Sequence, residues 1–125
     1  MIRSVTLVLC LALFSCKALD KDPDYENEIA RVTEEIANMV EPRSCVAQAQ
    51  DCRLKVINGS DACGPAFTYN INDVDSDKLL AKFTELERLK NNFWESSVQK
   101  LTCYYAAPDT TFIENCQCVA GYKNR

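Results

Sequence analysis

The sequence has 125 residues, with 14 Lys and Arg against 18 Asp and Glu, no His and 8 Cys, for a formal net charge of −4. That length is one small domain. An acidic balance argues against nucleic acid as a partner, and the lack of imidazole removes Ser/His and Cys/His nucleophilic pairs, His-based acid–base catalysis and the commonest metal ligand.

Residues 1–18 carry a positive start at Arg3, an apolar run from Val5 to Phe14 broken by Thr6, and a small-residue end at Ser15 to Ala18. This pattern reads as a secretory signal peptide cleaved after Ala18. The apolar run is shorter than the roughly 20 residues a bilayer needs and no second run follows it, so no membrane span is expected. Cleavage removes Cys10, Cys16, Arg3 and Lys17, leaving 107 residues in which 12 cations face 18 acids, a net charge of −6. A secreted, extracellular location follows. In an alternative reading, Leu13-Phe14-Ser15-Cys16 is a lipobox and Cys16 carries the lipid anchor of a bacterial lipoprotein. Six later cysteines and the sequon Asn58-Gly59-Ser60 favour the eukaryotic secretory route, with Asn58 as the glycosylation site.

Residues 20–41 hold eight acids against Lys21 and Arg31, and no cysteine. Asp22 can cap a helix that has Pro23 in its first turn and a stripe of Tyr25, Ile29, Val32, Ile36 and Met39, ending at Glu41 before Pro42. Acids suit the N-terminal end of such a helix. Residues 19–43 therefore read as an acidic amphipathic leader helix packed on the rest of the domain. The alternative is a propeptide cut at Arg43, as in a secreted effector or venom-type toxin precursor.

Residues 44–125 read as a cysteine-stapled helical domain. Ser44 caps a second helix with Cys45, Ala49, Cys52 and Val56 on one face, stopped by Asn58-Gly59. From Ser60 to Ser76, Gly64-Pro65 and the turn formers Asn70, Asn72, Asp73 and Asp75 indicate a loop with a short turn of helix. A long amphipathic helix is expected over 77–104, with Leu79, Leu80, Phe83, Leu86, Phe93, Trp94, Val98 and Leu101 inward. Pro108-Asp109 opens a last short segment in which Phe112 and Ile113 pack before Cys116 and Cys118. The fold class is all-α, a small disulfide-stabilised bundle of three to four helices.

The mature cysteines are Cys45, Cys52, Cys63, Cys103, Cys116 and Cys118, and six allow 15 pairings. Seven helical steps of about 1.5 Å would separate Cys45 from Cys52 by roughly 10 Å, beyond the ~7 Å a disulfide spans. Cys116 and Cys118 are also a poor pair, so ten pairings remain open and the tail is tied twice to the rest. With no CxxC and no His, zinc is not expected, nor any other cofactor.

Glu34-Glu35 and Glu85-Glu87 are the carboxylate pairs nearest to a glycosidase arrangement, yet each falls on a polar helix face where a solvated role suffices. Asp73, Asp75 and Asp77 begin like a calcium loop, but Lys78 and Thr84 stand where that loop needs Gly and Glu. They read as turn and cap residues. Phe93, Trp94, Tyr104 and Tyr105 form an aromatic cluster better suited to the core than to a surface. Cys116-Gln117-Cys118-Val119-Ala120-Gly121-Tyr122 is similar to the end of an epidermal-growth-factor module, which needs a further cysteine downstream that this sequence does not have. No enzyme is expected.

Cys45 to Cys52 with seven residues' step, Ala62-Cys63-Gly64-Pro65, and Asn115-Cys116-Gln117-Cys118 after a long helix together resemble the repeat of glial-derived-neurotrophic-factor receptors and growth-arrest-specific proteins. The resemblance covers residues 44–125. It implies an extracellular, helical, disulfide-bonded module that binds a protein ligand without catalysis. Those repeats carry more cysteines and continue past the C-x-C with another helix, and no ligand-binding residue carries over.

Overall fold

A computed structural model describes residues 23–57, 64–100, 103 and 106–124. The signal segment, Cys16, the sequon at Asn58, Cys63, Tyr104 and Tyr105 lie outside these residues. Helix α1 spans Tyr25–Met39, strands β1 and β2 span Cys52–Val56 and Ala66–Asn70, helix α2 spans Ser76–Ser96, and strands β3 and β4 span Thr110–Glu114 and Gln117–Gly121. Single 3-10 turns precede β1 and follow β2.

The expected all-α bundle is therefore corrected to an α+β fold, in which two helices stand with two antiparallel two-stranded sheets. Residues 44–57 form no α-helix, only the 3-10 turn Ala49–Asp51 and strand β1. Cys52-Arg53-Leu54-Lys55-Val56 alternates apolar and charged residues, and that period of two is satisfied by pairing with Ala66–Asn70 in the register Cys52↔Asn70 to Val56↔Ala66. The hairpin closes with the amide of Ile57 donating to the carbonyl of Pro65 at 2.9 Å. Gly64 lies so close to this neck that a Cβ there would fall 1.2 Å from the Ile57 carbonyl oxygen, so only glycine fits.

The two faces of the β1–β2 hairpin have different neighbours. Phe67 and Tyr69 lie beside Phe83 of α2, with ring centroids 5.9 and 6.2 Å apart, and Lys55 on the same face reaches Glu87 of α2 at 2.8 Å. On the other face Cys52 is bonded to Cys118 of β4, and the Thr68 hydroxyl donates to the Cys118 carbonyl at 3.0 Å. The molecule is thus layered: helices, then β1–β2, then β3–β4.

The core lies between the helices and the first hairpin. Val32 and Ile36 of α1, Ile57 and Phe67 of the hairpin, and Leu79, Phe83, Leu86 and Leu89 of α2 form one buried cluster. The α1 stripe includes the positions its periodicity picks out, but the cap is Asp24, whose carboxylate accepts the Asn27 amide at 3.2 Å. In α2 the helix ends at Ser96 rather than 104. Leu89 joins the core, whereas Leu80, Phe93 and Val98 are exposed. Asp75 caps α2 through the Lys78 amide at 3.2 Å.

The β3–β4 turn is Asn115-Cys116, both with positive φ, 50° and 65°. A two-residue hairpin loop with both residues left-handed matches the twist of its strands, and Asn suits the first position. Cys116 stands where Gly is usual, and its side chain is fixed by a disulfide to Cys45.

Candidate functional site

Two disulfides join the described segments: Cys45–Cys116 ties the connection after α1 to the β3–β4 turn, and Cys52–Cys118 ties β1 to β4. Cys103 is disulfide-bonded as well. Neither Cys45 with Cys52 nor Cys116 with Cys118 forms a bond, although residues 45–52 are not the α-helix on which the spacing argument for the first pair rests.

The nominated neighbours separate, Glu34 from Glu35 and Glu85 from Glu87, while Glu35 and Glu85 come together across the α1–α2 seam around shared cations. Glu35 of α1 meets Arg31 one turn earlier at 2.7 Å and Lys82 of α2 at 2.5 Å. Glu85 meets Lys82 at 3.2 Å and Arg31 at 3.6 Å. The result is a ring of alternating charge across the α1–α2 seam. The Glu35 Oε2 atom is buried, and its contact with the Lys82 ammonium is charge to charge rather than an aligned hydrogen bond. Glu87 is engaged with Lys55, and Glu34 points to solvent.

Contact with the Lys82 ammonium, and then with the Arg31 guanidinium, holds the Glu35 carboxyl below its ordinary range. Glu35 and then Glu85 raise the Lys82 ammonium above its own. A depressed carboxyl stabilises the fold above its unfolded value and loses that contribution as pH falls through the folded value. The raised Lys82 contributes below its unfolded value and loses only in strong alkali. Between pH 6 and pH 3 the melting temperature is therefore expected to fall, and the fall should be shallower in Glu35→Gln. Calorimetry at matched ionic strength checks this, because salt weakens a network that is partly exposed. Equal slopes in both proteins would remove Glu35 as a contributor.

The three calcium-loop candidates are also separated in role. Asp75 caps α2, Asp77 lies in its first turn, and Asp73 reaches back to the connection after α1. Asp73 Oδ2 accepts the amides of Arg43 at 3.1 Å and Ser44 at 3.2 Å, and Oδ1 accepts the Ser44 hydroxyl at 2.6 Å. The Asn70 amide also donates to Ser44 Oγ, at 3.4 Å. These donors, the Ser44 hydroxyl foremost, keep the Asp73 carboxyl below its usual range. Among the described residues no group of three His, Cys, Asp or Glu could hold a metal ion.

Sequence reasoning missed this clamp because Asp73 lies 29 residues from Ser44 and only the Asx pattern Asn70-Ile71-Asn72-Asp73 marked the turn. Of the expected aromatic cluster, Phe93 and Trp94 are described, and neither belongs to the buried core. Phe93 is exposed at the end of α2, and Trp94 carries the Lys100 ammonium 5.3 Å from its ring centroid. On the outer hairpin, Phe112 is 46% exposed and lies over Gly121, and Tyr122 donates its hydroxyl to the Ala106 carbonyl at 2.9 Å.

Fold and site together define a small α+β domain crosslinked by disulfides, a chemistry suited to an oxidising compartment. No described helix is long and apolar enough to cross a membrane. No protein-family model, no curated protein and no solved structure matches the chain.

Proposed function

We propose that this is a secreted protein that acts by binding an extracellular protein partner, without catalysis. The observation that carries the reading is the use of its acidic side chains: Glu35, Glu85, Glu87 and Asp73 are each committed to a cation or to backbone amides of the fold. A general acid or base needs a group free to exchange its proton with substrate. These groups instead hold α1, α2, the first hairpin and the connection after α1 in register. The signal-like residues 1–18, the sequon at Asn58 and the resemblance of residues 44–125 to extracellular receptor repeats point the same way.

Purified secreted protein tested on glycoside, ester and peptide substrates is expected to give no turnover above buffer, and Glu35→Gln and Glu85→Gln should give the same result. In parallel, labelled protein should bind extracellular surfaces of its source tissue saturably and be displaced by unlabelled protein. Turnover that disappears on changing one carboxylate would overturn the reading and make the protein an enzyme.

A further inference from the structure

Residues 41–45, in the connection between α1 and the 3-10 turn before β1, are exposed and carry no helix or strand. Arg43 is the only cation between Arg31 and Arg53. An exposed, irregular segment with a single basic residue is where a protease of trypsin-like specificity would be expected to cut. Such an enzyme binds its substrate as an extended strand and must pair with the backbone on both sides of the scissile bond.

Here that backbone is already occupied. Asp73 takes the amides of Arg43 and Ser44 together with the Ser44 hydroxyl, and Asn70 supports that hydroxyl from β2. Just beyond, Cys45 is bonded to Cys116, and the Val46 amide donates to the Cys116 carbonyl at 2.9 Å. The Arg43–Ser44 peptide bond is thus reachable by solvent, while the amides on both of its residues are engaged by Asp73 and not free to pair with a protease.

We propose that Arg43–Ser44 is a latent processing site for an arginine-specific serine-type protease, closed by the Asp73 clamp and opened where the clamp is lost. Hydrolysis would break the bond between the Arg43 carbonyl carbon and the Ser44 nitrogen. One water is consumed: its oxygen leaves Arg43 as a carboxylate, and both of its hydrogens pass to the Ser44 nitrogen, which already carries one and becomes an ammonium. Residues 23–43 contain no cysteine, so after the cut the described part of this segment is held by noncovalent contacts, among them the packing of Val32, Ile36, Ile29 and Met39 and the charge ring with α2. The new Ser44 ammonium would form at the nitrogen that already lies 3.2 Å from the Asp73 carboxylate. Asp73 would then guard the intact chain and pair with the new terminus of the cut one.

Limited trypsin digestion of the folded full chain, followed by intact and peptide mass spectrometry, tests this in wild type, Asp73→Ala, Ser44→Ala and Asp75→Ala. Cleavage after Arg43 should be faster by roughly ten-fold or more in Asp73→Ala, as expected when cutting tracks opening of a charge-assisted contact. Ser44→Ala should lie between that variant and wild type. Asp75→Ala, which loses the cap of α2 two residues after Asp73 but no contact to residue 43 or 44, should match wild type at this bond. Equal rates after Arg43 in wild type and Asp73→Ala would overturn the proposal. So would an acceleration in Asp73→Ala shared by all its Lys and Arg bonds, since that reports general unfolding. If Asp73→Ala does not fold, Ser44→Ala against Asp75→Ala decides in the same way.

Discussion

Replacing all four cysteines of Cys45–Cys116 and Cys52–Cys118 by alanine is expected to lower the free energy of unfolding by about 7 kcal/mol, and replacing either pair alone by only about 3. The two bonds close nearly the same loop, with sequence separations of 71 and 66. With one bond in place, the other closes a small ring made of residues 45–52 and 116–118, and the denatured chain loses about 3 kcal/mol of entropy to it. The last of the two to be removed releases the long loop, worth about 4 kcal/mol more. The double loss should therefore exceed the sum of the single losses. Against a total stability of about 5–15 kcal/mol, the four-cysteine variant would be close to unfolded at room temperature. Urea titration checks this, with a steeper denaturant dependence expected as the denatured chain is freed to expand. Additivity within error would show that the bonds do not share a loop.

The helices were legible in the sequence because each is long enough to display its own period. Tyr25, Ile29, Val32, Ile36 and Met39 recur over four turns, and the acidic start of α1 needs no distant partner. Leu79, Phe83 and Leu86 in α2 are buried on the face their spacing implies. The strands were not legible for a physical reason. Five residues give two or three inward positions, and Cys45, Ala49, Cys52 and Val56 happen to fit a helical spacing too. What decides for β is the pairing of residues 52–56 with 66–70 and the packing of that hairpin on Phe83, both of them contacts distant in sequence. The local signal was present in Cys-Arg-Leu-Lys-Val and in the β-branched and aromatic run Thr110-Thr111-Phe112-Ile113. The Asn115-Cys116 turn was hidden because the second residue lacks the glycine that marks such turns. Long-range polar contacts escape sequence patterns in the same way, as Asp73 with Ser44 and Glu35 with Lys82 show.

The position of α1 gives the second large effect. Ile36→Asp is expected to destabilise the protein by about 4–5 kcal/mol, because Ile36 is fully buried among apolar side chains of α1, α2 and the first hairpin. A carboxylate there would have no partner inside the cluster, since the cations of the seam lie on its outer side with Glu35 and Glu85. The chain would either protonate it or let α1 detach, and both are costly. Ile36→Val, which removes one methylene and keeps the face apolar, should cost about 1 kcal/mol and serves as the control for simple loss of volume. Ala37→Asp, one residue along on the exposed side of the helix, should be nearly neutral. Thermal unfolding of the three variants distinguishes a helix that completes the core from an acidic leader that merely precedes it. An unchanged melting temperature for Ile36→Asp would mean that the domain folds without α1, and that residues 23–43 contribute nothing to its stability.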